Sequence, residues 1–223
     1  MKKFALIVAG GVGSRMGAEV PKQFIELAGR PILLWTIQRF LDFDPEIELV
    51  LVLPSSQFDR WQQVRQQFQL TGKISLVGGG DTRFQSVRNG LDAIAGDGIV
   101  FIHDGVRPLV SSETLQRCFQ TALEKGNALP VSPVVESLRQ LTGHESQHVD
   151  RNQFRLVQTP QTFQTELIKK AYRQPERNFF TDDASVCEAD GIHIHLVDGN
   201  PENIKITNPI DLRVADALIR SRG

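Results

Sequence analysis

The chain is short of sulfur, of net charge and of long apolar runs, and each shortage removes a class of protein. Only two cysteines, Cys118 and Cys187, occur in 223 residues, without CxxC or Cys/His ligand spacing. A structural zinc site is therefore not expected, and both thiols are read as small buried or half-buried hydrophobes. The formal net charge of −1 offers no bulk attraction to nucleic acid or anionic lipid, so neither is expected as a partner. No stretch approaches the roughly 18 continuous apolar residues of a membrane span. Met1-Lys2-Lys3 leads straight into a short apolar run without a signal-like core, so a cytoplasmic location is expected. Repeats and low-complexity tracts are missing too.

What is present is ordinary in bulk and specific in order. Hydrophobic residues at 40% and charged residues at 23% suit a globular protein. A chain of this size buries roughly 70% of its unfolded surface and needs no staples. Short apolar runs at 4–8, 47–53, 73–77 and 98–103 read as strands, and helix-period segments separate them. Pro31 to Phe43 carries an apolar stripe of Leu33, Leu34, Ile37, Phe40 and Leu41. Gln57 to Phe68 and Ser86 to Ile94 are read the same way. Ser111 or Ser112 is expected to cap a helix that Gly126 ends. This alternation predicts an α/β fold, a mostly parallel sheet flanked by helices.

The pattern changes after about Ala128. Residues 128–135 form a β-like run with two prolines, and 136–155 are polar with two short alternating segments around Gly143. That reads as a projecting hairpin with little core of its own, which needs something to pack against, such as a partner subunit. Further on, Thr181 is expected to cap a helix running to Ala189. Ile192 to Val197 and Asn203 to Thr207 are expected to be strands. Asn208-Pro209 opens a last helix to Arg220. The expectation is one domain over 1–223, with an arm at about 136–155.

Three glycine- or charge-marked turns follow strands. The first is Ala9-Gly10-Gly11-Val12-Gly13-Ser14-Arg15-Met16-Gly17, then Pro21-Lys22. Its glycines allow backbone N–H groups to approach an anion, and Arg15 and Lys22 add cations for a triphosphate. It is not a dinucleotide fingerprint, because the second strand ends in Pro54-Ser55-Ser56 rather than an acid; this argues against a nicotinamide-dependent oxidoreductase. The P-loop pattern is absent as well. The second turn, Gly78-Gly79-Gly80-Asp81-Thr82-Arg83-Phe84-Gln85-Ser86, suits close approach to a flat ring, and also suits a plain strand-to-helix turn. The third, His103-Asp104-Gly105-Val106-Arg107-Pro108, puts an acid at the carboxyl end of a strand, where open α/β sheets bind ligands. Asp104 is a candidate Mg²⁺ ligand and Arg107 a phosphate binder. His103 is read as structural rather than as a general base.

Taken in order, AGGVGSRMG…PKQF, GGGDTRFQSV, HDGVRP, VDR, QTPQTF, TDDAS and GNPENIKIT span nearly the whole chain. The set resembles the 2-C-methyl-D-erythritol 4-phosphate cytidylyltransferase family of the non-mevalonate isoprenoid pathway. The glycine-rich loop also resembles the pentitol 5-phosphate cytidylyltransferases, so ribitol or ribulose 5-phosphate is the alternative acceptor. The resemblance implies a Rossmann-like nucleotidyltransferase fold and a homodimer formed through the arm. It implies that Ala9, Gly10 and Gly11 line a CTP site, with Arg15 and Lys22 on the triphosphate. Gly80, Asp81 and Ser86 would meet the cytidine, and Asp104 would lie by Mg²⁺ (or another divalent cation) and the sugar-alcohol phosphate. Arg107 would help bind that acceptor, as would Arg151 from the partner's arm. Thr159 and Lys205 match positions near the phosphates, and Ser137 stands where an arm threonine is common.

Overall fold

The computed structural model describes residues 1–10 and 20–221. In chain order the elements are β1 (Lys2–Val8), β2 (Glu26–Leu27), β3 (Arg30–Pro31), α1 (Ile32–Phe43), β4 (Glu48–Leu53), α2 (Phe58–Gln67), β5 (Ile74–Gly78), α3 (Arg83–Asp92), β6 (Gly98–Asp104) and α4 (Ser112–Lys125). The second half adds β7 (Asn127–Pro133), β8 (Leu138–Thr142), β9 (Glu145–Val149), β10 (Arg155–Val157), β11 (Gln161–Gln164), α5 (Thr165–Ala171), α6 (Asp183–Ala189), β12 (Leu196–Asp198) and α7 (Pro209–Arg220).

One sheet organises the chain, in the order β10-β7-β11-β6-β1-β4-β5, with β12 also paired to β7. β5, β4, β1 and β6 are mutually parallel, while β11 runs antiparallel between β6 and β7. β1, β4 and β6 are buried on both faces, which is why their sequences are nearly continuous apolar runs, whereas β5 is a half-buried edge strand with Ser75 exposed. Phe4 and Leu6 face one core with Phe84, Val87 and Leu91 of α3 and Ile168 of α5. Ala5 and Ile7 face the other with Leu33, Ile37 and Phe40 of α1, Trp61 of α2 and Leu115 of α4.

Several local expectations hold and several shift. Ser111 caps α4 by accepting from the Thr114 N–H, and Gly126 ends it at φ +92°, a conformation that favours glycine. Asp182, not Thr181, caps α6. A capping box needs a side-chain partner three residues on; Ser185 supplies it for Asp182, whereas Thr181 would face Ala184. α3 starts at Arg83 rather than Ser86, because Thr82 accepts from the Gln85 N–H. The strand expected over 192–197 shrinks to Leu196–Asp198, since the Asn127 side chain takes up the His193 carbonyl and the His195 N–H. Residues 203–207 form no strand. Asn203 spends its side chain on the Thr159 carbonyl, and Ile206 N–H donates to Val106.

β8 and β9 make a separate two-stranded hairpin, Leu138 opposite Val149, turning at Gly143. Its residues are mostly exposed, including Leu141 at 76%.

Candidate active site

β1 lies between β4 and β6 in the parallel part of the sheet, so the chain leaves in opposite directions from its carboxyl end. Such a switch point opens a crevice. Val8 pairs with Asp104 across it, Ala9 N–H donates to the Val52 carbonyl at 2.9 Å, and Gly105 N–H donates to the Val8 carbonyl at 2.9 Å. A cleft of about 320 Å³ opens here. Ala9, Gly10, Lys22, Gly80, Asp81, Ser86, Asp104 and Lys205, all candidates from sequence, line it. Val8, Gln23, Thr82, Arg83 and Val106 complete the lining.

Each wall has a local cause. Lys22 opens a short 3₁₀ turn, Lys22–Phe24, whose next two residues are buried. Gln23 Nε2 donates to the Ala9 carbonyl at 2.8 Å and to Gln57 Oε1 at 2.6 Å, tying the Lys22 turn to the start of the glycine-rich loop. On the opposite side, Gly80 N–H donates to Ser86 Oγ at 3.1 Å. A Cβ on Gly80 would stand 2.4 Å from the Gln85 Cβ, so this turn requires glycine.

The floor is a charged cluster on Asp104. Lys205 Nζ lies 2.8 Å from Asp104 Oδ2, and Arg107 Nε is an ion-pair neighbour of the same oxygen at 3.5 Å. Burial by itself would raise the Asp104 pKa, but the fields of Lys205, Arg83 and Arg107 outweigh it and hold the carboxyl well below the usual range. Arg107 Nη1 donates to the Asn203 carbonyl at 2.7 Å, which joins the 203–205 loop to the end of β6.

Behind this cluster sit Thr159 and His103, both buried. His103 Nε2 is 3.0 Å from the Arg107 carbonyl, and a carbonyl only accepts, so the proton is on Nε2. Nδ1 then accepts from the Thr159 hydroxyl at 3.0 Å, leaving Thr159 Oγ1 to accept from the Asp104 N–H at 3.1 Å. His103 is thus structural, as its sequence context suggests, and burial pushes its pKa down to about 4.

The sign of that shift sets a pH window. The unfolded histidine takes a proton near pH 6.5 and the folded one near 4, so stability is full above about 6.5 and falls towards pH 4. The loss is roughly 3 kcal/mol. His195 is also depressed, by burial and then by His193 and Lys125. An imidazole-resolved NMR titration separates the two: His103 is expected to stay neutral to about pH 4, and protonation near 6.5 in the folded protein would contradict the assignment.

Gly11 and Arg15 lie outside the described residues. Arg107 and Thr159 stand directly behind the lining. Arg151 and Ser137 are exposed on the arm and are not among the lining residues of this chain; Arg151 Nη1 donates to the Val135 carbonyl. Sequence reasoning assigned no role to Gln23 or Arg83. Gln23 follows a lysine that the motif already marked, and Arg83 follows the second glycine turn, so position was the available signal for each.

Lys22, Arg83 and Lys205 gather at the switch point of a mostly parallel sheet, and comparison with known proteins shows that the chain is a cytidylyltransferase, a nucleotidyltransferase. A family model for 2-C-methyl-D-erythritol 4-phosphate cytidylyltransferase matches residues 4–221. The chain belongs to that family. It is 51% identical over 219 residues to the enzyme of that name from Bacteroides fragilis, covering 98% of this chain and 100% of the relative. The Porphyromonas gingivalis enzyme of the same name is 48% identical over 222 residues, covering 99% of each. The Thermus thermophilus crystal structure of that name has a TM-score of 0.81 at 33% identity, covering 99% of this chain and all of the other. The Anaerococcus prevotii 4-diphosphocytidyl-2C-methyl-D-erythritol synthase structure has a TM-score of 0.84 at 26% identity, with 98% and 96% covered.

Proposed function

We propose that the cleft at the end of β1 is where this cytidylyltransferase joins CTP to 2-C-methyl-D-erythritol 4-phosphate, giving 4-CDP-2-C-methyl-D-erythritol and pyrophosphate. The observation that carries the reading is the convergence of Lys22, Asp104 and Lys205 on one cleft beside the Gly80–Ser86 turn. Ala9 and Gly10, with Gly11, present backbone to the nucleotide; Lys22, with Arg15, neutralises the triphosphate. Gly80, Asp81 and Ser86 read the cytidine. Arg107, Thr159 and Lys205 serve the acceptor or nucleotide phosphates around Asp104.

In the reaction, an oxygen of the acceptor phosphate forms a bond to the α-phosphorus of CTP, and the bond from that phosphorus to the β-phosphate bridge breaks. Pyrophosphate carries the electron pair away. No protein nucleophile is needed, because the attacking phosphate is already anionic. Alignment and charge stabilisation therefore supply the catalysis.

The residues present suit Mg²⁺ carried mainly by the substrate. Among the described residues there is no group of three or more His, Cys, Asp or Glu placed to hold a metal. Asp104 is a single hard oxygen ligand on the cleft wall, and Mg²⁺ commonly takes one or two carboxylates, phosphate oxygens and waters. When bound, the ion would offset charge on the phosphates.

The active form is a homodimer joined through the arm, and the enzyme works in the cytoplasm. Support for the dimer is the exposed apolar set at the arm and its base, Val135, Leu141, Phe154, Leu156 and Val157, on a hairpin with little core. No described helix is long and apolar enough to cross a membrane. Arg151 and Ser137 reach the partner's cleft, with Arg151 on the acceptor. Arg151→Ala is expected to raise the acceptor KM about 10- to 100-fold while leaving the CTP KM nearly unchanged. Steady-state kinetics with each substrate varied in turn checks this; a loss confined to CTP affinity would contradict it.

A further inference from the structure

Arg83 has no role in the reaction as given, yet it lines the same cleft as Asp104 and Lys205. It is the first residue of α3, and its guanidinium is gripped from behind. Nη1 donates to Asp183 Oδ1 at 2.8 Å and Nη2 donates to Asp183 Oδ2 at 2.6 Å. Asp183 opens α6, is fully buried, and also accepts from the Tyr172 hydroxyl at 2.6 Å. Tyr172 is itself held by stacking on Phe84, with ring centroids 4.7 Å apart.

The Asp183 side chain is 0% exposed and the Arg83 side chain as a whole 31%. Fork-to-fork pairing uses two of the five guanidinium N–H groups and leaves a second edge, Nε–H beside an outer Nη–H. Arg83 lies within the Gly80–Ser86 turn, and its two bonds to Asp183 hold the guanidinium towards α6. Asp104 feels the Arg83 charge second only to that of Lys205.

We propose that Arg83 is a substrate-contacting residue whose second edge donates to the phosphate-bearing acceptor beside Asp104, with Asp183 and Tyr172 as the positioning residues that aim it. The proposal rests on the functional reading above. Acceptor binding should then depend on the fork geometry as well as on the charge.

Steady-state kinetics in which CTP and acceptor are varied separately tests this. Arg83→Lys keeps a cation on Asp183 and removes the fork. The acceptor KM is expected to rise about tenfold, with the CTP KM unmoved. The double variant Arg83→Gln/Asp183→Asn avoids a lone buried carboxylate and is expected to raise the acceptor KM about 10- to 100-fold. Tyr172→Phe keeps the stacked ring and loses one donor to Asp183, for an expected two- to tenfold rise of about the same kind. A folded Arg83→Lys enzyme with wild-type acceptor KM overturns the proposal, and so does an equal rise in the CTP KM. If the double variant does not fold, the lysine variant decides alone. Wild-type enzyme assayed with methylerythritol phosphate and with pentitol phosphates separates the two readings. Use of a pentitol phosphate instead would remove the named acceptor, and the Arg83 comparison would be read on that phosphate.

Discussion

Replacing Lys22 by alanine is expected to lower turnover by about 10²–10³, or roughly 3–4 kcal/mol of transition-state stabilisation, by analogy with loss of an oxyanion-hole donor. The protein is expected to remain folded. The turn that carries Lys22 is fixed by its neighbours: Gln23 is bonded to Ala9 and Gln57, and Phe24 is buried. None of these contacts needs the lysine ammonium. Pyrophosphate release measured at saturating CTP and acceptor reads the change in kcat, and a thermal melt checks the fold. Near-wild-type turnover in a folded Lys22→Ala protein would remove Lys22 from the catalytic machinery.

Asp104→Asn is expected to be costly twice. The Asp104 side chain is 11% exposed and offsets the charge of Arg107, which is half-buried against it. Removing one member of a buried pair typically costs about 3–5 kcal/mol, because the other charge is left uncompensated. Lys205 contributes less to that figure, since its side chain is 41% exposed and solvent screens it. Turnover is expected to fall by at least about 10²-fold as well, since the variant disarranges the cations around the phosphates. Denaturant unfolding at pH 7 measures the first effect and pyrophosphate release the second. The wild-type contribution has a definite sign: a depressed carboxylate stabilises above its unfolded pKa and loses that contribution as pH falls below about 4. Acid unfolding of Asp104→Asn should therefore begin from a lower plateau and show a shallower decline in that range. Wild-type stability with wild-type turnover would contradict the cluster's role.

Much of this was legible in the sequence, for reasons that differ by element. β1, β4 and β6 are covered on both faces, and their unbroken apolar runs announced them; β5, a half-buried edge strand, was marked by Ile74, Leu76 and Val77. β11 did not announce itself. Gln161-Thr162-Phe163-Gln164 is polar, and it is buried because Gln161 bonds Asp182 and the Ala184 N–H rather than water. The glycine turns and Asp104 were visible because each follows a strand where ligands gather. Arg83 was not, because an arginine at a helix start looks solvated until its partner 100 residues away is known. Thr181 and Asp182 are both good caps by type, and only the side chain three residues on chose between them.

The most direct test of the account is pyrophosphate release from CTP and Mg²⁺ with 2-C-methyl-D-erythritol 4-phosphate, ribitol 5-phosphate and ribulose 5-phosphate compared as acceptors. Rapid release with methylerythritol phosphate, and little with either ribitol 5-phosphate or ribulose 5-phosphate, is the predicted result. No release with methylerythritol phosphate, or a preference for ribitol or ribulose 5-phosphate, would contradict it.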